Sequence, residues 1–374
     1  MRRKEQSDIS TTLIYLLSLV SCILNQVSAQ AWQSSLMAWQ LNPQLYLLGA
    51  APKCTAAKAR LSPLQNAMCT NAGYMDHMSS VNVGLLLALN ECQHQFSNSK
   101  WNCTSVELEF MLEGIKDIEA SKEDAFLHAA TAAGIAHAIA RGCRNGLISK
   151  CSCSNMERPE NLNMDWEWGG CGDNVNYGQQ FATAFVDLRE KESNHPKGSE
   201  SLALTLMNKH NNEAGRRTVS KEDQVTCKCH GVSGSCSLKT CWQELSPFRT
   251  IGDKLKKNYD IAMQVGFNKD GTGLRNRIKS KRSKRRASKE ELIYMKESKN
   301  VCMRNSNGEL PDNMVGRRCN ITSSGEDNCE TLCCGRGSVK KVVTVTERCN
   351  CKFQWCCYVE CDECSHEEIH DICV

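Results

Sequence analysis

Across 374 residues, 46 Lys and Arg nearly offset 42 Asp and Glu, so the formal charge of +4 leaves any basic surface local and gives no footing to a general nucleic-acid binder. Beyond the N-terminal leader no segment runs to eighteen consecutive apolar residues, which excludes a comfortable membrane-spanning helix. The count that dominates is 25 cysteines.

In chain order, Met1–Glu5 is a basic n-region (Arg2, Arg3, Lys4), and Leu13–Leu24 is a short apolar core. Val27-Ser28-Ala29 then offers a signal-peptidase site before Gln30, so residues 1–29 read as a secretory signal peptide. Cys22 leaves with it, and the 24 cysteines that remain are even in number, implying up to twelve disulfides in an oxidising compartment. Zinc is the rival use of close pairs such as Cys151/Cys153, Cys227/Cys229, Cys349/Cys351 and Cys361/Cys364. Three of these four are Cys-x-Cys, and histidines do not recur at ligand spacing.

About 345 residues follow the signal, enough for a real core and more than one unit. After an N-terminal segment at 30–53, residues 54–245 read as a helical domain. Met75–Phe96 carries Val83, Leu86, Leu87 and Leu89 at helical spacing; Lys122–Arg141 is alanine-rich, with Ser121 as N-cap and Asp124 three residues on. Tyr177–Lys191 and Ser199–Arg216 predict two further amphipathic helices. Residues 227–241 read Cys-Lys-Cys-His-Gly-Val-Ser-Gly-Ser-Cys-Ser-Leu-Lys-Thr-Cys. Cys229 and Cys236 can pinch the tip of such a loop and Cys227 and Cys241 can clamp its base. Ser233, between Gly231 and Gly234, is then held outward on a rigid hairpin with little steric cover. Ser235 is the neighbouring competitor.

Residues 246–300 read as a basic linker: Lys254–Lys289 holds thirteen Lys/Arg against two Asp. Lys279, Lys281, Arg282, Lys284, Arg285 and Arg286 form a strip suited to a sulfated glycosaminoglycan, and Arg282-Ser283-Lys284-Arg285 also suits a basic-site processing protease. From residue 301 to 374 the character changes. Cys302–Cys373 packs twelve cysteines into 72 residues, and Val339–Thr346 alternates β-branched residues, predicting hairpins stapled by disulfides. The fold class is therefore α+β and disulfide-rich, a helical N-terminal domain carrying a cystine-locked β-hairpin and a small cystine-knot-like β-hairpin C-terminal domain.

Two enzyme motifs are weak here. His366-Glu367-Glu368-Ile369-His370 matches the zinc-protease pattern, yet it lies among C-terminal cysteines with no third ligand. Gly231-Val232-Ser233-Gly234-Ser235 has serine where a nucleophile elbow needs glycine, so neither a catalytic site nor a metal site is expected. Asn102 (Asn-Cys-Thr) and Asn320 (Asn-Ile-Thr) are glycosylation sequons, and a glycan on Asn102 would compete with closure of Cys103.

Several stretches together carry a family resemblance. They are Glu91-Cys92-Gln93 with Trp101-Asn102-Cys103, Asn211-Asn212-Glu213-Ala214-Gly215-Arg216, Cys227–Trp242, Cys333-Cys334-Gly335-Arg336-Gly337, and Glu347-Arg348-Cys349 through Cys364. Over nearly the whole mature length the chain resembles the Wnt family of secreted, lipid-modified signalling proteins. Leu47–Cys54, Trp166–Asn174 and Ser237-Leu238-Lys239-Thr240 look most like the subfamily numbered five. Ser338 follows Gly337 where many Wnts carry an aromatic, so packing of that loop is expected to differ.

The resemblance implies that Ser233 carries palmitoleate, a C16:1 chain esterified in the endoplasmic reticulum by the membrane-bound acyltransferase Porcupine. No cofactor is implied beyond this covalent lipid. At about 0.8 kcal/mol per buried methylene the chain offers on the order of 10 kcal/mol gross. It also implies export by the carrier Wntless, membrane association through the lipid, and release to the extracellular space and matrix, where heparan sulfate proteoglycans are partners. The receptor implied is the Frizzled cysteine-rich domain, with Ror- and Ryk-type co-receptors. Frizzled would be gripped by the lipid and by a finger tip, Phe353, Trp355, Cys356, Cys357, Tyr358 and Val359, kinked by a vicinal Cys356–Cys357 disulfide. The family's remaining pairs, carried over, are Cys92–Cys103, Cys143–Cys151, Cys153–Cys171, Cys227–Cys241, Cys229–Cys236, Cys302–Cys334, Cys319–Cys329, Cys333–Cys373, Cys349–Cys364 and Cys351–Cys361, which leaves Cys54 with Cys69. Without acylation, the same features would suit a matrix-bound, heparin-binding cystine protein.

Overall fold

The computed structural model describes residues 61–103, 120–154, 157–160, 166–192, 194–277, 286–298, 300–303, 314–354 and 358–374. They fall into two compact units divided between Pro311 and Asp312. The α+β, disulfide-rich architecture is the one expected.

The first unit is built from α1 (Pro63–Thr70), α2 (His77–Gln95), α3 (Lys122–Arg144), β1 (Glu167–Trp168), α4 (Val175–Val186), α5 (Leu188–Glu192) and α6 (Glu200–Lys221). It continues with β2 (Asp223–Cys229), β3 (Lys239–Leu245), α7 (Phe248–Asp260), β4 (Met263–Phe267), β5 (Leu274–Asn276) and β6 (Ile293–Tyr294). Helix α3 is its axis: 19 of its 23 residues are buried, with α2, α4, α6 and α7 packed around it. Alanine gives this helix propensity without bulk, and Ser121 starts it in a reciprocal capping box. Its hydroxyl accepts from the Asp124 N–H, and the Asp124 carboxylate accepts from the Ser121 N–H. The small residues allow close crossings. A Cβ on Gly134 would lie 2.2 Å from the Gly84 carbonyl oxygen, and one on Gly215 would lie 2.0 Å from that of Ala129.

The structure differs from the sequence expectation at two places. On α2 the buried face is Val81, Leu85, Ala88, Leu89 and Cys92, whereas Val83 is exposed and Leu86 and Leu87 are half-buried. The crossing at Gly84 sets this face, because backbone contact there turns positions 81, 85, 88 and 92 towards α3. Nor is 246–300 a linker. Helix α7 buries Phe248, Ile251 and Leu255, and β4 pairs antiparallel with β5 and parallel with β6. Val265 and Ile293 close a small core with Ala120 and Met207. The lysines of α7 occupy its outer face, where Lys254 meets Glu222 and Lys256 meets Asp260.

The helix expected at Tyr177–Lys191 is broken into α4 and α5 at Asp187, whose carboxylate accepts from Arg216 at 3.1 and 3.0 Å and from Asn212 at 2.9 Å. Asn211 brackets Ile293, donating to its carbonyl at 3.0 Å and accepting from its N–H at 2.9 Å. The Asn211–Arg216 motif is thus scaffolding between helices. The unit holds Cys92–Cys103, Cys143–Cys151, Cys153–Cys171, Cys227–Cys241 and Cys229–Cys236 as disulfides.

The second unit has β7 (Arg318–Cys319), α8 (Cys329–Leu332), β8 (Ser338–Gln354) and β9 (Tyr358–Cys373), with strand order β7-β9-β8 and every pairing antiparallel. Its buried cluster is Cys319, Cys329, Leu332, Cys333 and Cys373, so cystine supplies most of its core. Cys319–Cys329 and Cys333–Cys373 lie in that cluster, while Cys349–Cys364 and Cys351–Cys361 tie β8 to β9. Cys69, Cys302 and Cys334 are also disulfide-bonded; Cys54, Cys356 and Cys357 lie outside the described residues.

Candidate functional site

Strands β2 and β3 pair without interruption from Asp223↔Leu245 to Cys229↔Lys239, which sets Cys227 directly opposite Cys241. Beyond the last pair the His230 N–H donates to Leu238 O at 2.8 Å, and the Gly231 N–H donates to Ser235 O at 2.8 Å. Cys229–Cys236 closes the tip. Within it Val232–Gly234 forms one short 3₁₀ turn, in which Ser233 adopts φ 56° and ψ 27° and Gly234 φ 78°. Left-handed backbone suits Gly234 and strains Ser233, a pattern common where a side chain is held out for use. Ser233 is exposed, and among the described residues nothing hydrogen-bonds its hydroxyl. Its neighbour Val232 is 89% exposed, so no core claims this tip.

The base of the hairpin is bolted to α3 by charges. Arg144 Nη1 reaches Glu244 at 2.6 Å and lies 3.7 Å from Asp173, whose other oxygen accepts from the Leu245 N–H at 2.8 Å. The Arg144 bond holds the Glu244 carboxyl below its usual range. His137, buried in α3, donates from Nε2 to Ser246 O at 3.1 Å, and burial pushes its pKa down to about 4. Strand β1 adds a parallel edge, pairing Trp168 with Cys241, and Lys239 lies 4.3 Å over the Trp166 ring. Sequence reading missed Arg144, Asp173 and Glu244 as a group, since 29 residues separate the first two and 71 the last two. The Trp166–Asn174 run was the signal that marked this neighbourhood.

The long ribbon of β8 and β9 ends at Phe353↔Val359 and Gln354↔Tyr358. Phe353, Tyr358 and Val359 are 69%, 60% and 58% exposed, an apolar group with no core to join; Trp355, Cys356 and Cys357 lie outside the described residues. A register shift between Cys349 and Lys352 interrupts the ladder, with Asn350 at φ 48°.

The His366–His370 segment is β-strand, not helix. Alternation puts His366, Glu368 and His370 on one face and Glu367, the base of the protease motif, on the other. Glu368 meets His366 at 3.2 Å and His370 at 2.6 Å. The sulfurs of Cys319, Cys333 and Cys373 cluster at metal-site spacing but are spent on disulfides. Asn320 is exposed, and its Oδ1 accepts from Thr322 N and Oγ1 at 3.0 and 2.8 Å. Asn102 is half-buried beside Cys92–Cys103. Of the basic strip only Arg286 falls among the described residues, and it is exposed. No helix of the described residues is long and apolar enough to cross a membrane.

The described residues thus form a cystine-stapled α+β fold with an exposed serine at the tip of one hairpin and an exposed apolar group at the end of another. The Wnt family profile matches residues 57–374, and the chain belongs to that family, whose members are secreted signalling ligands and not enzymes. It is 46% identical over 340 residues to Wnt-5b of Ambystoma mexicanum, covering 90% of this chain and 92% of that one. Against human Wnt-5b it is 45% identical over 347 residues, covering 92% and 94%. Among solved structures, one described as human WLS in complex with WNT8A matches with a TM-score of 0.56 at 36% identity, covering 81% of this chain and 96% of that one.

Proposed function

We propose that this chain is a Wnt ligand that carries a C16:1 acyl ester on Ser233 and binds the Frizzled cysteine-rich domain through that lipid and through the tip of the β8–β9 ribbon. The observation that carries the reading is Ser233 itself, an exposed hydroxyl in strained left-handed backbone at the end of a doubly cystine-locked hairpin. Exposed Phe353, Tyr358 and Val359 support the second contact, since an apolar cluster on a rigid support is the usual form of a binding anchor.

The acyl donor is a thioester delivered by a Porcupine-type acyltransferase in the endoplasmic reticulum. The acylated chain then passes to a Wntless-type carrier, a step supported by likeness to a Wnt bound to WLS. Outside the cell it partitions between membrane, heparan sulfate proteoglycans at the Lys279–Arg286 strip, and receptor, with Ror- and Ryk-type proteins as co-receptors. Asn102 and Asn320 carry glycans on this reading. Intact-peptide mass spectrometry across Thr226–Lys239 of the secreted protein tests it. A C16:1 ester on Ser233, lost in Ser233→Ala together with Frizzled binding, is expected; an unmodified peptide from cells with a working acyltransferase would sink the mechanism.

A further inference from the structure

Ser233 and Ser235 stand two residues apart on one exposed tip, and as alcohols they are chemically equivalent acyl acceptors. Their surroundings are not equivalent. Ser235 Oγ lies 3.3 Å from Ser237 Oγ, within hydrogen-bond reach. Both oxygens converge on Gly231: a Cβ there would stand 2.1 Å from Ser235 Oγ and 2.3 Å from Ser237 Oγ. The methyl group that Gly231 lacks leaves a notch, and both hydroxyls fold into it. Ser233 faces the other way in every respect that matters. It is exposed in left-handed backbone at φ 56°, no described residue bonds its hydroxyl, and Gly234 beside it has nothing within 4 Å of where a Cβ would be.

We propose that Gly231 and Ser237 are positioning residues that withhold Ser235 from acylation, so that the choice of Ser233 is made by the hairpin's fold as well as by the transferase. This rests on the reading of Ser233 as the acyl acceptor. In the transfer, a serine Oγ attacks the carbonyl carbon of the acyl thioester. The ester C–O bond forms, the C–S bond breaks, and the thiol leaves with the proton given up by the hydroxyl. A hydroxyl turned into the Gly231 notch and paired with Ser237 must lose that contact and rotate about Cα–Cβ before it can meet the carbonyl. Ser233 has nothing to release.

The experiment feeds an alkyne-tagged C16:1 acid to cells expressing the full chain with its acyltransferase and maps the tag by peptide mass spectrometry. Non-reducing peptides confirm Cys229–Cys236 in each variant. The wild type is expected to carry the tag on Ser233 alone, and Ser233→Ala to carry almost none. Adding Ser237→Ala to Ser233→Ala should raise tagging of Ser235 by roughly threefold, the factor carried by a long, exposed hydrogen bond. Ser237→Thr in the same background, which keeps the hydroxyl, should restore the silence. The proposal is overturned if Ser233→Ala alone is tagged on Ser235, or if the double variant with its disulfide intact stays as silent as the single one. A wild type untagged at both serines overturns the acyl-acceptor reading itself, an outcome these others do not resemble.

Discussion

Gly215 lies where α6 crosses α3 so closely that a methyl group has no room, and its side-chain-bearing neighbours are spent on Asp187 and Ile293. Gly215→Ala is therefore expected to cost on the order of 1–3 kcal/mol through overpacking, seen as a lower denaturation midpoint and poorer secretion. Acid acts on the same bundle through His137. Its pKa is about 4 in the fold and 6.5 as the reference for the open chain. Between these values the unfolded state binds a proton that the folded state refuses, so stability falls as pH drops from 6.5 towards 4. His137 contributes at most about 1.4 kcal/mol per pH unit to this slope, and His128, also pushed down to about 4 by burial, adds to it with the same sign. Chemical denaturation at pH 7 and pH 5, followed by helical circular dichroism, should show that loss, and His137→Gln should reduce it. Glu244, held below its usual range by Arg144, adds stability that is lost as pH falls below 4.5.

At the scale of elements, what the sequence reveals depends on whether the signal is local. Helix α3 is legible because its cap, its alanines and its length lie in one stretch. The serine hairpin is legible because cysteines bracket glycines at short spacing. Helix α7 hides its Phe248, Ile251 and Leu255 among lysines, so charge density masks a helical period, and the stretch reads as a linker. The buried face of α2 is set by where Gly84 meets α3, which no periodicity within α2 can announce. The Arg144–Asp173–Glu244 anchor joins three distant segments, and of its members only Asp173 lies in a run that the sequence singles out. The end of the β8–β9 ribbon falls in a run of aromatics flanking paired cysteines, and the receptor contact proposed for it can be tested separately from folding. Because Phe353 and Tyr358 contribute little to any core, Phe353→Ala with Tyr358→Ala should leave secretion unchanged. The pair should weaken Frizzled binding in biolayer interferometry by at least about tenfold, the scale of one hot-spot residue.

At the scale of the molecule, the two units are stabilised by different means. The first has a bundle core of alanine, leucine, isoleucine and phenylalanine, with disulfides added around it. In the second, Leu332 is the one residue of the buried cluster that is not a cysteine. Mild reduction should separate them. The second unit is expected to become protease-sensitive first, while much of the helical circular dichroism of the first survives; simultaneous loss of both signals would contradict this account.

Strand β8 forms the rim of its sheet, and among the described residues its outer side pairs with nothing. Along this seventeen-residue strand about every second residue turns its amide and carbonyl outward, a template on which another copy of the chain could add itself, and a third after that. Lys340, Lys341, Arg348 and Lys352 against the single acid Glu347 leave this strand net positive, and the slip in register after Cys349 spoils its regular repeat. The slip costs the ribbon local pairing, and together with the charge it opposes fibre growth along the rim.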